Sequence, residues 1–478
     1  MKQSSDSSQK FDWKYFLSHI AIIAIPVALQ NLLSTTGSMV DTMMLGSLGE
    51  KTVGAVGLCA QFSTLIFSCY WGFVGGGMLF MSQFWGARDD DGIRRAYGMT
   101  MTFMMAVALV FTVLTLIAPE FIMRVYTNNT EIQAIGISYL KIVAWAYPMQ
   151  ILAMAMSALL RSVEQVRVPL YGGIAGVVTN CFFNYCFIFG NFGFPRMGAP
   201  GAAVGTVISA FVNVLIISVF ALKKRLPYVL EFSRLFRWNR GFIKTYFRKC
   251  FPIMCDEIAM GIANMMINIV LGRQSSEAIA AVAVFRTLEG VVISFFSGFS
   301  NASSILVGTK VGEGSHEIAY QRAIRLVYLC SGFIGLACLG LFALHGVLFT
   351  AMGLSGISFE ICTGMLLIYS AAALLRMGNW TQNDTFRAAG DPIFGTVLEI
   401  VFMFTLVIPL VYIGNFALHL PFLMVFAFCF ADEPIRYILM QRHLYSGKWI
   451  KPVSVPGREA LPVFQEAHHI GLKNKQTV

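Results

Sequence analysis

Apolar runs of about twenty residues, separated by short polar stretches, recur from Phe16 to Phe430. A helix that crosses a bilayer needs about 20 mostly apolar residues, and twelve such stretches can be placed. They begin near Tyr15, Thr52, Gly98, Ile135, Val168 and Ala202, then near Cys250, Ala278, Leu326, Cys362, Phe394 and Phe422. The pattern predicts an all-α integral membrane protein with twelve transmembrane helices. Several runs are long enough to tilt or to extend past the lipid.

The two sets of six are related. At a constant offset of 226 residues Pro26 meets Pro252, Leu45-Gly46 meets Leu271-Gly272, and Ala55-Val56 meets Ala281-Val282. Gly72 meets Gly298, Gly86 meets Gly312 and Arg161 meets Arg387. Single identities mean little in apolar sequence, but one register held through four helices and hitting Pro, Gly and Arg predicts a duplication. Six is an even number, so both halves enter the membrane the same way round. The predicted architecture is two six-helix bundles related by a pseudo-twofold axis along the membrane normal, a parallel-repeat arrangement found among transporters.

Charge then fixes orientation. Of the 35 Lys and Arg, 28 fall in the N-terminal segment, the even-numbered connections or the C-terminal segment. Under the positive-inside rule both termini are cytoplasmic, and in a bacterium the membrane is the inner (plasma) membrane. Residues 223–249 carry nine basic residues against Glu231 alone and read as a linker between halves. The expected division is an N-terminal segment 1–14, a first lobe 15–222, the basic linker 223–249, a second lobe 250–447 and a cytoplasmic tail 448–478.

Composition narrows the function. Only 13% of residues are charged and 56% are hydrophobic, against roughly 25% charged in soluble domains. The net charge of +10 follows from topology and carries no nucleic-acid signature of basic residues interleaved with exposed aromatics. Cys59, Cys69, Cys181, Cys186, Cys330, Cys338 and Cys429 lie in apolar runs with no CxxC, as free thiols do. There is no Walker A loop, no metal-ligand spacing among the histidines, and His468-His469 lies in a polar tail; an enzyme is not expected.

Charged residues inside the spans are the informative positions, because each costs roughly 2.5–3.5 kcal/mol at a helix centre. In the first half Asp41 stands 15 residues beyond Pro26, and Asn180 and Asn184 share a helix face at i and i+4. Together they would make a chamber for a proton or sodium ion; alternatively, Asp41 caps a helix break before Gly46. In the second half Asp256 and Glu257 follow Pro252 near the cytoplasmic end of their helix. Arg286 and Glu289 are spaced to pair, and Arg376, Glu399, Asp432 and Glu433 complete two basic and six acidic groups. An acid-rich interior suits cation coupling, whereas Asp432 and Glu433 are expected to reach cytoplasmic water.

The stretch IPVALQNLLSTTGSMVDTMMLGSLGEKTVGAVGL resembles the first helix, loop and second-helix start of the multidrug and toxic compound extrusion (MATE) family, with its acid at Asp41. SQFWGARDDDGIRRAYG, ALLRSVEQVRVPLYGG and NYCFIFGNFGFPRMGAPGAAVGTVIS resemble its later first-half connections. FPIMCDEIAMG and FRAAGDPIFG are similar to a bacterial branch with Glu early in the seventh helix. The resemblance runs from about Phe16 to Pro452. It implies a twelve-helix, two-lobe antiporter exporting small cationic or amphipathic organic compounds against protons or sodium, with no other cofactor. It also implies a first-lobe cation site at Asp41, Asn180 and Asn184 and a second-lobe acid at Glu257. Secondary candidates are Asp256, Arg286, Glu289, Arg376 and Glu399. Many members carry an acid at the position of Asn184, so the coupling ion stays open between the two. The bilayer is the expected partner and a monomer the expected state. A flippase for lipid-linked oligosaccharides, with Arg286 and Arg376 holding a pyrophosphate, is the alternative.

Overall fold

The computed structural model describes residues 13–224, 226, 235–236 and 238–470. The N-terminal segment up to residue 12, residues 225, 227–234 and 237 of the 223–249 linker and residues 471–478 lie outside the described residues, as does the side chain of Cys69. The described cysteines are free thiols.

The first lobe contains α1 (Trp13–Gly46), α2 (Glu50–Gly86), α3 (Asp90–Ile117), the short α4 (Pro119–Tyr126), α5 (Thr130–Val143), α6 (Ala146–Ser162), α7 (Arg167–Phe189) and α8 (Ala199–Lys223). The second contains α9 (Arg240–Leu271), α10 (Ser276–Glu313), α11 (His316–Ala351), α12 (Gly356–Ala388), α13 (Pro392–Ala417), α14 (Phe422–Phe428) and α15 (Glu433–Ser446). A last helix, α16 (Val455–Ala467), follows. Helices α5 and α6 form one span bent by 50°, and α14 with α15 forms another broken one, so each lobe crosses six times. The chain is an all-α membrane protein of twelve spans. Its helices start within ten residues of the hydropathy boundaries; the largest differences, at α9 and α11, arise because those helices continue through polar turns beyond the lipid.

Proline explains the breaks. Pro148 has no N–H for the carbonyl of Ala144; the Thr112 hydroxyl takes that carbonyl instead, at 3.3 Å, and the helix bends there. Pro409 sits between two π-turn segments of α13, Met403–Val407 and Ile413–Ala417, the local widening that restores hydrogen bonds around a misfit residue. Pro434 opens α15. That break, in mid-span, turns Asp432 and Glu433 inward: they are 1% and 5% exposed. The expectation that both reach water is therefore wrong. Helix α1, by contrast, runs unbroken to Gly46, which removes the capping role considered for Asp41.

The lobes meet through two symmetric contacts, α1 on α10 and α2 on α9, with α2 also against α10. The repeat glycines sit at these contacts. A Cβ on Gly86 would lie 1.9 Å from the Thr309 carbonyl oxygen, and one on Gly312 would lie 2.0 Å from that of Gln83; Gln83 and Thr309 are themselves 226 apart. Gly72 packs on the backbone of Met254, and Gly298 on that of Ala24 and Ala28. Only glycine permits backbones to approach so closely. Contacts at Gly86 and Gly312 close the end of the molecule at which α1 begins and α16 lies, the terminal end. Towards the opposite end, Gly54 and Gly57 on α2 and Gly290 on α10 have nothing within 4 Å.

The tail is described as far as residue 470. After α15 the chain reverses at Gly447, in the left-handed region, and residues 449–454 form a strap across the closed end. Trp449 is wholly buried. The Lys451 amide donates to the Ala389 carbonyl at 2.9 Å. The Val453 amide donates to Gln83 Oε1 at 2.8 Å, and the Ser454 hydroxyl donates to the Gly312 carbonyl at 2.7 Å. Helix α16 then packs on α10 and α11, and His468 Nε2 lies 2.8 Å from Glu317 Oε2.

Candidate functional site

Three groups singled out in the first lobe come together. Asn184 Nδ2 donates to Asp41 Oδ1 at 2.7 Å and to Asn180 Oδ1 at 3.2 Å. Turned about its amide, Asn180 instead donates to both Asp41 oxygens, at 2.6 and 3.1 Å, which leaves its nitrogen facing the carboxylate as chemistry requires. Both asparagines are buried, and α7 holds them one turn apart. Gly205 on α8 is the floor: a Cβ there would come within 2.0 Å of Asn184 Oδ1. The result is a small chamber with one carboxylate and two amides, able to hold a proton or a small cation.

The second lobe is built around arginines. Arg387 on α12 reaches Asp256 on α9 through its Nη2, Glu257 Oε1 at 3.5 Å and Asp384 Oδ1 at 3.7 Å. Ser300 donates to Asp384, and Thr396 donates to Asp256 Oδ2 at 3.4 Å. Arg436 on α15 joins Asp432 at 3.0 Å, Glu399 at 3.6 Å and Glu433 at 3.8 Å; Asn383 also donates to Glu399, at 2.9 Å. Glu289, 4% exposed, accepts from Arg286 at 2.7 Å and from Arg376 at 2.9 Å. Breaking such a buried pair by removing one partner costs about 3–5 kcal/mol, so these networks fix how α9, α10, α12, α13 and α15 sit together.

Two sequence expectations change here. Asp256 and Glu257 lie sixteen and seventeen residues into α9, which begins at Arg240, so they stand in the body of the helix and not near its end. Hydropathy also missed Asp384, Arg387 and Arg436, because apolar character fades before the helices that carry them end. The available signal was the match of Arg387 to Arg161. Arg161 donates to Gln30 Oε1 at 2.7 Å, and Gln30 is the counterpart of Asp256. One scaffold thus holds the same arginine twice, against an amide in one lobe and a carboxylate in the other.

A cavity of about 470 Å³ lies between the lobes, bounded by α1, α2, α9, α10 and α12. Glu257, Asp384 and Arg387 stand in its wall, with Trp71 and Trp380. Across the lobe boundary Asn31 donates to Ser297, and the hydroxyls of Thr35 and Ser294 are 3.1 Å apart. This size and mix of aromatic, hydroxyl and charged groups suit a drug-sized organic molecule. Among the described residues no group of three His, Cys, Asp or Glu is arranged to hold a metal ion.

The chain is similar to the uncharacterized transporter YisQ of Bacillus subtilis, 24% identical over 421 residues that span 86% of this chain and 90% of the relative. It is also similar to the probable multidrug resistance protein YoeA of the same organism, 24% identical over 82% of this chain and 86% of that one. A crystal structure of MATE in the straight conformation superposes with a TM-score of 0.80 at 18% identity, over 90% of this chain and 96% of that one. A Pyrococcus furiosus transporter described by the reverse polarity of its binding pocket superposes at 0.79, also 18% identical, with the same coverage. The MatE family profile matches residues 26–186 and again 252–413, and the two matches begin 226 residues apart, the spacing of Pro26 and Pro252. The protein belongs to the MatE family, whose members are transporters and not enzymes.

Proposed function

We propose that this protein is a secondary-active exporter of small organic, cationic or amphipathic solutes, driven by inward flow of protons or sodium. It works as a monomer in the plasma membrane with both termini in the cytoplasm, and with lobes spanning residues 15–222 and 250–447. The observation that carries this reading is a cavity between two duplicated lobes, closed at the terminal end, with carboxylates in its wall and a separate carboxylate chamber in one lobe. Tight packing at the terminal end, against glycines with nothing near them towards the other, supports a cavity that opens outward in that orientation, the state from which a solute leaves and a cation enters. Cation binding at Asp41, Asn180 and Asn184, or at Glu257, favours one lobe arrangement and solute binding the other; their mutual exclusion is the coupling. The relatives' names support drug export, since one is described as a probable multidrug resistance protein.

The flippase alternative is not favoured: Arg286 and Arg376, its candidate pyrophosphate ligands, are both engaged by Glu289. Dye efflux from proteoliposomes under separately imposed proton and sodium gradients tests the proposal, with Asp41→Asn and Glu257→Gln variants alongside. One gradient should drive efflux in the wild type, and the folded Asp41→Asn variant should lose it. Undiminished export in that variant removes Asp41 from the mechanism, and no solute movement under either gradient removes the exporter.

A further inference from the structure

A second concavity, of about 420 Å³, lies at the terminal end beside the strap, away from the transport cavity. Lys249, Lys448, Lys451 and Arg458 all line it, its remaining walls are mainly apolar (Ile450 and Leu461 among them), and no acidic side chain lines it. The basic residues come from segments some 200 positions apart: Lys249 from the membrane end of α9, Lys448 from the turn after α15, Lys451 from the strap and Arg458 from α16. Lys451 Nζ is engaged by Asp391 at 2.8 Å, and Lys249 donates to the Gly390 carbonyl. Lys448 and Arg458 have no acid within ion-pair distance among the described residues, and both are exposed. Basic residues on this face are expected from topology alone; their convergence on one acid-free hollow with an apolar wall is not.

We propose that this hollow binds a phosphate-bearing anion at the membrane face, an anionic phospholipid, with the phosphate at Lys448 and Arg458 and the acyl chain along Leu461 and Ile470. Basic pockets at the cytoplasmic ends of membrane helices bind anionic headgroups through the same pairing of charge and apolar wall. Lys249 directly precedes the apolar run of α9 at Cys250, which sets the hollow at headgroup depth. Bound there, the lipid ties α9 to the strap that also holds Gln83 of the first lobe. This site does not depend on the transport reading.

The test is retention of phosphatidylglycerol, phosphatidylcholine and inorganic phosphate by the purified full-length protein, read by native mass spectrometry and thermal shift. The wild type is compared with Lys448→Gln/Arg458→Gln and with Arg167→Gln/Lys244→Gln, which removes two exposed charges elsewhere on that end. Phosphatidylglycerol should bind the wild type in preference to phosphatidylcholine and bind the first variant roughly 25-fold more weakly, about fivefold per charge removed, with the second variant unaffected. Stabilisation by inorganic phosphate, equally lost in the first variant and with no preference for phosphatidylglycerol, keeps the anion site and makes the ligand a free phosphate. Equal retention by all three proteins, or equal loss in both variants, overturns the proposal.

Discussion

Replacing Gly86 by alanine isolates the lobe contact that the proposed rocking would have to open. Its Cβ would stand 1.9 Å from the Thr309 carbonyl oxygen, so the backbones must separate by at least about 1.1 Å to reach 3.0 Å. Neither partner is a flexible side-chain tip, and the strain falls on the closed terminal end. Overpacking of this kind costs about 1–3 kcal/mol, and 1.4 kcal/mol is a tenfold change in a conformational equilibrium. The sign is diagnostic, because Gly→Ala inside a helix otherwise stabilises by about 0.8–1 kcal/mol. Gly332→Ala, where nothing lies within 4 Å, should behave in that ordinary way. Spin labels placed on the two lobes at the terminal end, at Arg88 and Ser315, report the separation directly. Gly86→Ala should shift the distance distribution towards the separated state about tenfold, and Gly312→Ala, its repeat counterpart, should do the same. Distributions indistinguishable from wild type in both variants would refute the idea that these glycines hold that end shut.

Three further outcomes are expected. Arg387→Gln strips the counter-ion from Asp256, Glu257 and Asp384 and should lower stability by about 3–5 kcal/mol. Asp256→Asn should cost only about 1 kcal/mol, since Arg387 keeps its other two acids and the first lobe tolerates an amide at that point; denaturant or thermal unfolding in detergent ranks the two, and the reverse ranking would show that Asp256 and not Arg387 organises the cluster. Gly205→Ala should push Asn184 off Asp41 and abolish ion-driven efflux while expression and melting stay near normal, whereas undiminished efflux would show that the Asn184 contact is dispensable. At the strap, burial raises the Asp391 carboxyl, but hydrogen bonds from His443 and Lys451 outweigh it and hold the group below its ordinary value of 3.8. That contribution is complete above pH 3.8 and disappears as pH falls through the lower folded value; hydrogen exchange at residues 449–454 should rise on that acid side, and Asp391→Asn should remove the dependence.

Much of the scaffold was legible because membrane burial writes itself into long stretches of sequence. Twelve apolar runs and the register of 226 follow from length and offset; helical spacing puts Asn180 and Asn184 on one face, and the family resemblance implied that Asp41 meets them. The repeat glycines carried more than packing, since they mark both copies of the lobe contact. What sequence hid depends on single breaks and on ends. Pro434 stops a span in mid-membrane, so Asp432, Glu433 and Arg436 pack inward where a continuous helix would have carried them to water. Arg387 lies in the last turn of α12, where hydropathy has already declined, and reads as a loop charge. The strap has too few apolar residues to announce itself; its order comes from backbone bonds to Gln83, Ala389 and Gly312.

The duplication also separates what the fold must conserve from what it is free to vary. Contacts between the lobes obey the twofold: Gly86 with Thr309 answers Gly312 with Gln83, and Gly72 with Met254 answers Gly298 with Ala28. The proposed rocking would need that equality, because an interface that opens on one side must be able to close by the same geometry on the other. Interior chemistry does not obey it. Gln30, Asn31, Ser63, Ala158 and Gly173 of the first lobe correspond to Asp256, Glu257, Glu289, Asp384 and Glu399 of the second. Five acids were thus placed, in register, on positions the first lobe keeps neutral, while its own acid, Asp41, faces Ile267 in the repeat. Each of these five acids is offset by an arginine or a hydrogen-bonding amide, which makes that lobe a rigid charged frame. In the first lobe a single carboxylate is held by two neutral amides, with no arginine against it. A cation entering the first lobe meets an uncompensated charge, whereas one entering the second must compete with a guanidinium already in place.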